Sequence, residues 1–149
     1  MVAISPPPAS HKWGTLSFVS TLYLRPILDL LTSEVPSLWQ SEVRLGLQEA
    51  LVNASKHGNG LDPAKKVSVR FSTFGDYYWW VIADQGAGFD PPYQCEGIFH
   101  QDCIHQVDEC GRGLYILHQI FDDVRWSRGG RELHLCKQVR RRSRLPLIS

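Results

Sequence analysis

The chain has 149 residues, 43% hydrophobic and 21% charged, enough for one ordinary domain with a real core and too few for two. Lys and Arg number 16 against 15 Asp and Glu, so no overall field points to nucleic acid or an anionic membrane. No apolar run approaches bilayer length, and the start "MVAISPPPAS" lacks the basic and apolar parts of a secretion signal, so a cytoplasmic location and no membrane partner are expected.

Residues 1–12 carry three successive prolines, which cannot donate backbone hydrogen bonds, and are expected to form a disordered or extended leader. Then "TLSFVSTLYL" alternates as a strand does, and "RPILDLLTSEV" places a proline at a helix start ahead of apolar residues at helical spacing. Pro36 ends that element. A second helix is expected from Ser37, taken as its N-cap, to about His57, with Val43, Leu47, Ala50, Leu51 and Ala54 as its apolar stripe and Gly58-Asn59-Gly60 as its stop. At about 100° per residue, Glu42, Gly46, Glu49 and Asn53 fall beside that stripe, at the edge of a core and fit for the floor of a pocket. Glu49 and Asn53, four residues apart, share one face.

"KKVSVRFSTF" and "YYWWVIADQ" predict two strands turned at Gly75-Asp76, the second apolar enough to be central in its sheet. Beyond it lies a stretch to Cys110 with no clear period, long enough to be a functional loop. "GRGLYILHQIFDDV" reads as a glycine-rich turn opening a helix, and "DVRWSRGGRELHLCKQV" as a closing hairpin turned at Gly129-Gly130. The last segment, residues 139–149, together with Lys137 gathers five cations, Lys137, Arg140, Arg141, Arg142 and Arg144, and reads as a solvated basic tail.

Three segments need a joint explanation. Asp84 closes an apolar strand, where its carboxylate suits an amino group lying in an apolar slot, and Gly86 and Gly88 would let backbone approach a flat ligand. Gly111 and Gly113 precede a helix whose free amides suit a phosphate, with Arg112 between them. Asn53 offers an oxygen to a hard cation such as magnesium, and Lys56 and His57 lie at the end of the same helix, within reach of a phosphate or in capping or solvated roles.

In order and spacing, "EALVNASKHG", "DQGAGFDP" and "GRGLYILHQIFDDV" resemble the N box and the two glycine boxes of the Bergerat-fold ATPases shared by gyrases, heat-shock ATPases and histidine kinases. The helix followed by "DDV" and a closing hairpin is most similar to the anti-sigma-factor serine kinases. The resemblance covers about residues 13–137. It implies an α+β fold, a two-layer sandwich with helices on one face of a mixed or mainly antiparallel sheet, in one domain over 13–138. It also implies ATP and Mg2+ as cofactors, Glu49 as general base, Asn53 as metal ligand and Asp84 as the reader of adenine. Gly86 and Gly88 would lie on the adenine side, and Gly111, Arg112 and Gly113 on the phosphate side.

The implied activity is phosphorylation of a serine or threonine on an antagonist protein, in a partner switch that captures and releases a sigma factor. Monomer and homodimer both stay open. No phosphoacceptor-histidine hairpin precedes the N box, so a complete histidine kinase is not expected, while a detached catalytic module remains open.

Two other classes are consistent with the residues. One is a nucleotide-gated module that sequesters a partner without phosphoryl transfer. The other is a redox- or zinc-responsive regulator, suggested by Cys95, His100, Cys103, His105 and Cys110 in the long loop. No CxxC knuckle is present there, and thiols are the expected state of all four cysteines, Cys136 included.

Overall fold

The computed structural model describes residues 12–88 and 109–139, the side chains of 109–112 excepted. The leader, the basic tail beyond Val139 and the cysteine- and histidine-containing loop lie outside the described residues. In chain order the elements are β1 (Gly14–Val19), α1 (Arg25–Thr32), α2 (Ser37–Val52) continued by a π turn (Asn53–Gly58), β2 (Lys66–Phe74), β3 (Tyr77–Ala83), α3 (Glu109–Ile120), β4 (Asp123–Ser127) and β5 (Glu132–Gln138). The five strands form one sheet in the order β1-β2-β3-β5-β4, and every neighbouring pair is antiparallel. No helix among the described residues is long and apolar enough to cross a membrane.

Strand β3 is the middle of the five, as its apolar run required. Its alternate residues Trp80 and Ile82 join Val67, Val69, Leu133 and Leu135 of the neighbouring strands in the core, against Leu47 and Leu51 of α2 and Leu114 and Leu117 of α3. Trp80 meets Phe121 edge-on at 5.8 Å and donates its indole N–H to the Leu31 carbonyl at the end of α1, so one side chain ties the sheet to two helices. The α+β two-layer expectation holds, and the sheet is wholly antiparallel.

Several boundaries differ from the sequence expectation. Strand β1 stops at Val19 instead of running to Leu24, because the Ser20 hydroxyl donates to the Lys65 carbonyl and accepts from the Asn59 amide. The Thr21 hydroxyl then accepts from the Tyr23 N–H, closing a tight turn. Ser37 is not the N-cap: Pro36 holds that position, and no side chain caps the helix. Lys137 does not belong to a solvated tail; it lies on β5 and is 1% exposed.

Candidate functional site

Helix α2 builds the first wall. Its residues Glu42, Gly46, Glu49 and Asn53 recur at intervals of three and four, making one stripe that meets α3. At the far end of the stripe, a Cβ on Gly46 would come 2.5 Å from the Phe121 ring, so only glycine lets the two helices approach. At the near end, a Cβ on Gly113 would come 3.0 Å from Glu49 Oε2 and 3.5 Å from Asn53 Nδ2. The N box and the second glycine box are therefore in direct contact, although 60 residues separate Asn53 from Gly113.

Asn53 is 9% exposed, and its amide nitrogen has no hydrogen-bond partner among the described residues. A buried, unpartnered carboxamide is costly, and in a native fold it asks for an explanation such as a ligand, ion or water. It opens a π turn, a rare geometry that recurs at functional sites. Lys56 and His57, on the same turn, are exposed.

The π turn also sets the second wall. Asn59, 3% exposed, donates from its amide to the Ser20 hydroxyl and the Lys66 carbonyl, and its oxygen accepts from the Gln85 N–H at 2.7 Å. One side chain thus pins the end of α2 to β1, to β2 and to the exit of β3. In the sequence Asn59 reads only as part of a helix stop. What could have marked it is its residue type, a carboxamide able to satisfy three partners at once.

Asp84 follows β3 directly. Its N–H donates to the Arg131 carbonyl, and its Oδ1 accepts from the Gly86 N–H at 2.8 Å. Burial raises its pKa above the ordinary carboxylate value, while the Gly86 N–H and the charges of Arg131 and Lys65 pull it back. A Cβ on Gly58 would lie 2.5 Å from the Asp84 carboxyl, and one on Gly86 would overlap the Gly58 carbonyl. Gly88, at φ +82°, abuts the Gly129 carbonyl. Both loop glycines therefore allow close approaches of the protein to itself. Beside Asp84 lies a cleft of ≈ 440 Å³ between Ala83–Gly86 and Arg128, Arg131 and Glu132.

Gly111, Arg112 and Gly113 were expected in a turn ahead of a helix. The backbone at Glu109 and Cys110 is already helical, so the three glycine-box positions lie inside α3. The physical reason is that a glycine costs a helix only about 1 kcal/mol, an amount that contact with α2 offsets. Of the three, Gly113 is brought to Glu49 and Asn53; the side chain of Arg112 lies outside the described residues.

Besides the role of Asn59, sequence reasoning missed the burial of Glu132 and of Lys137. Glu132, 8% exposed, accepts from or pairs with His134 at 2.8 Å, Arg128 at 3.3 Å and Arg70 at 4.0 Å. Lys137 and Glu42, both 1% exposed, stand 3.6 Å apart inside the core. No group of three or more His, Cys, Asp and Glu side chains among the described residues could cage a metal.

This α+β sandwich is consistent with an ATPase domain. The histidine kinase-like ATPase domain family matches residues 25–137, and the chain belongs to it. Its relatives include the serine-protein kinase RsbW of Bacillus licheniformis, 36% identical over 87 residues, 56% of this chain and 54% of that protein. The serine-protein kinases RsbW of Bacillus subtilis and Bacillus velezensis are each 32% identical over 87 residues, with the same shares covered. The chain spans about half the length of the curated relatives it matches.

Proposed function

We propose that this protein binds Mg-ATP between α2, α3 and the exit of β3, and transfers the γ-phosphoryl group to a serine or threonine of a small antagonist protein. In that role it would capture a sigma factor in one state of the antagonist and release it in the other, within the cytoplasm. The observation that carries the proposal is the meeting of Glu49 and Asn53 with Gly113, which gathers a carboxylate and a carboxamide against a glycine inside α3. The serine-protein kinase name of the relatives supports the same chemistry.

The residues fit magnesium. A hard cation that keeps several waters and binds phosphates needs only one or two oxygens from the protein, and the Asn53 carboxamide would offer one, while its unpartnered nitrogen would donate to a phosphate oxygen. When bound, the metal neutralises charge on the phosphates. Asp84 accepts from the amino group of the base, aided by Gly86, whose N–H fixes the carboxylate's orientation. Glu49, half-buried and four residues before Asn53, takes the proton from the acceptor hydroxyl as that oxygen attacks phosphorus and ADP leaves. Lys56, His57 and Arg112 are assigned to the phosphate end through their places in the motifs.

A positioned base contributes about 10²–10⁴-fold, so Glu49→Gln should keep nucleotide affinity while phosphoryl transfer falls by that order. The assay uses labelled ATP and the antagonist recovered from source lysate, beside a nucleotide titration of the same variant. Equal transfer by wild type and Glu49→Gln removes Glu49 from the role of base. If both bind ATP and the partner yet neither transfers, the protein is a nucleotide-gated sequestering module.

A further inference from the structure

We infer that the buried pair Glu42 and Lys137 is an anchor that fixes where α3 stands along α2, and thereby positions Gly113 over Glu49 and Asn53. The inference rests on the proposed nucleotide site only for its functional readout. Lys137 Nζ donates to the Ile120 carbonyl at 2.8 Å, the last residue of α3, where a helix leaves its carbonyls without intrahelical partners. Glu42 Oε1 stands 3.6 Å from the same ammonium, and the Trp39 ring lies beneath it at 4.7 Å. One lysine from the sheet therefore binds the C-terminal end of α3 to α2.

The geometry explains why a charged pair is kept where two apolar side chains would fit. Burying two ions brings little stability over an apolar pair of the same volume, so the benefit must be sought in specificity. Between the anchor and the phosphate end, the contact of α2 with α3 runs through Gly46 against Phe121 and Ile120, an apolar contact that leaves more freedom of register than a directional bond does. A directional N–H···O bond to one carbonyl removes that freedom. From Ile120 back to Gly113 is seven residues of one helix, about 10 Å, so a shift at the anchor moves Gly113 by a similar amount. Glu42 and Lys137 touch no ligand in this scheme; they are positioning residues acting through α3.

The test separates position from stability with three variants, Glu42→Gln, Lys137→Met and the two combined. Lys137→Met alone removes the ammonium that faces a buried carboxylate and should melt lower. The combined variant is neutral, keeps volume and should melt near wild type, yet it lacks the donor to Ile120. It should therefore lose ATP affinity relative to ADP by about fivefold or more, and exchange amide hydrogens faster over residues 113–117 than wild type. Glu42→Gln, which keeps the lysine's bond to Ile120, should hold the wild-type ATP-to-ADP ratio. A combined variant with wild-type melting, ratio and exchange overturns the inference, and so does one that cannot fold, since the pair would then serve the core itself. If wild type binds no nucleotide, the functional proposal fails separately, and the exchange rates over 113–117 alone decide the anchor.

Discussion

Asp84 is held in opposing ways by its surroundings, and the opposition gives a test. Burial favours its protonated form, so between the unfolded and folded pKa values the native state keeps a proton that the unfolded chain has released. Stability therefore falls as pH rises through that window, and the full cost is present above it. Asp84→Asn should raise the melting temperature of the nucleotide-free protein at neutral pH, with the gain disappearing below about pH 4, where the carboxylate is protonated in both states. The same substitution should weaken ATP and ADP by about ten- to a hundredfold, the worth of a charge-assisted hydrogen bond to the base. Melting curves across pH, beside a titration, check both; a variant that gains stability and keeps affinity removes Asp84 from the base site. Asp84 was legible in the sequence because a lone carboxylate at the end of "YYWWVIA" breaks an apolar run. Asn59 was not, since nothing local announces that Ser20, Lys66 and Gln85 will converge on one carboxamide.

At the scale of elements, the α2 and α3 seam runs from the packed Gly46 to Gly113 at the proposed site, and alanine at the two glycines should tell the two ends apart. Gly46→Ala drives a Cβ into the Phe121 ring, packed in the core, and should cost about 1–3 kcal/mol of stability. Gly113→Ala meets the tip of the flexible Glu49 side chain at 3.0 Å, which can move aside, so the fold should hold while transfer drops. Equal loss of stability in the two variants, read by chemical denaturation, would contradict this division. The periodicity of α2 placed Glu42 and Gly46 at the edge of the core, but not against α3. The start of α3 was misplaced because two glycines read as a turn, and the helix they interrupt is held by its contact with α2. The end of β1 was misplaced because hydrophobic alternation continues to Leu24 while the hydroxyls of Ser20 and Thr21 turn the chain away.

For the whole molecule, the sheet and helices leave the site dependent on one polar joint. Asn59→Ala removes the hydrogen bonds that hold the π turn against β1, β2 and the exit of β3, and strands buried donors and acceptors. It should destabilise the domain by about 2–5 kcal/mol, measured by urea unfolding. The five-stranded sheet and its order of elements followed from hydrophobic period and turn residues; the charges inside the core, Lys137 above all, did not, because a cation near a basic terminus gives no sign that Glu42 and Trp39 will receive it. The most direct test of the proposed nucleotide site is calorimetric titration of the wild type and Asn53→Ala with ATP, with and without magnesium. Wild type should bind ATP more tightly when magnesium is present, and Asn53→Ala should lose most of that magnesium-dependent gain while keeping the metal-free affinity. Absence of any nucleotide binding by the wild type would contradict the proposed nucleotide site outright.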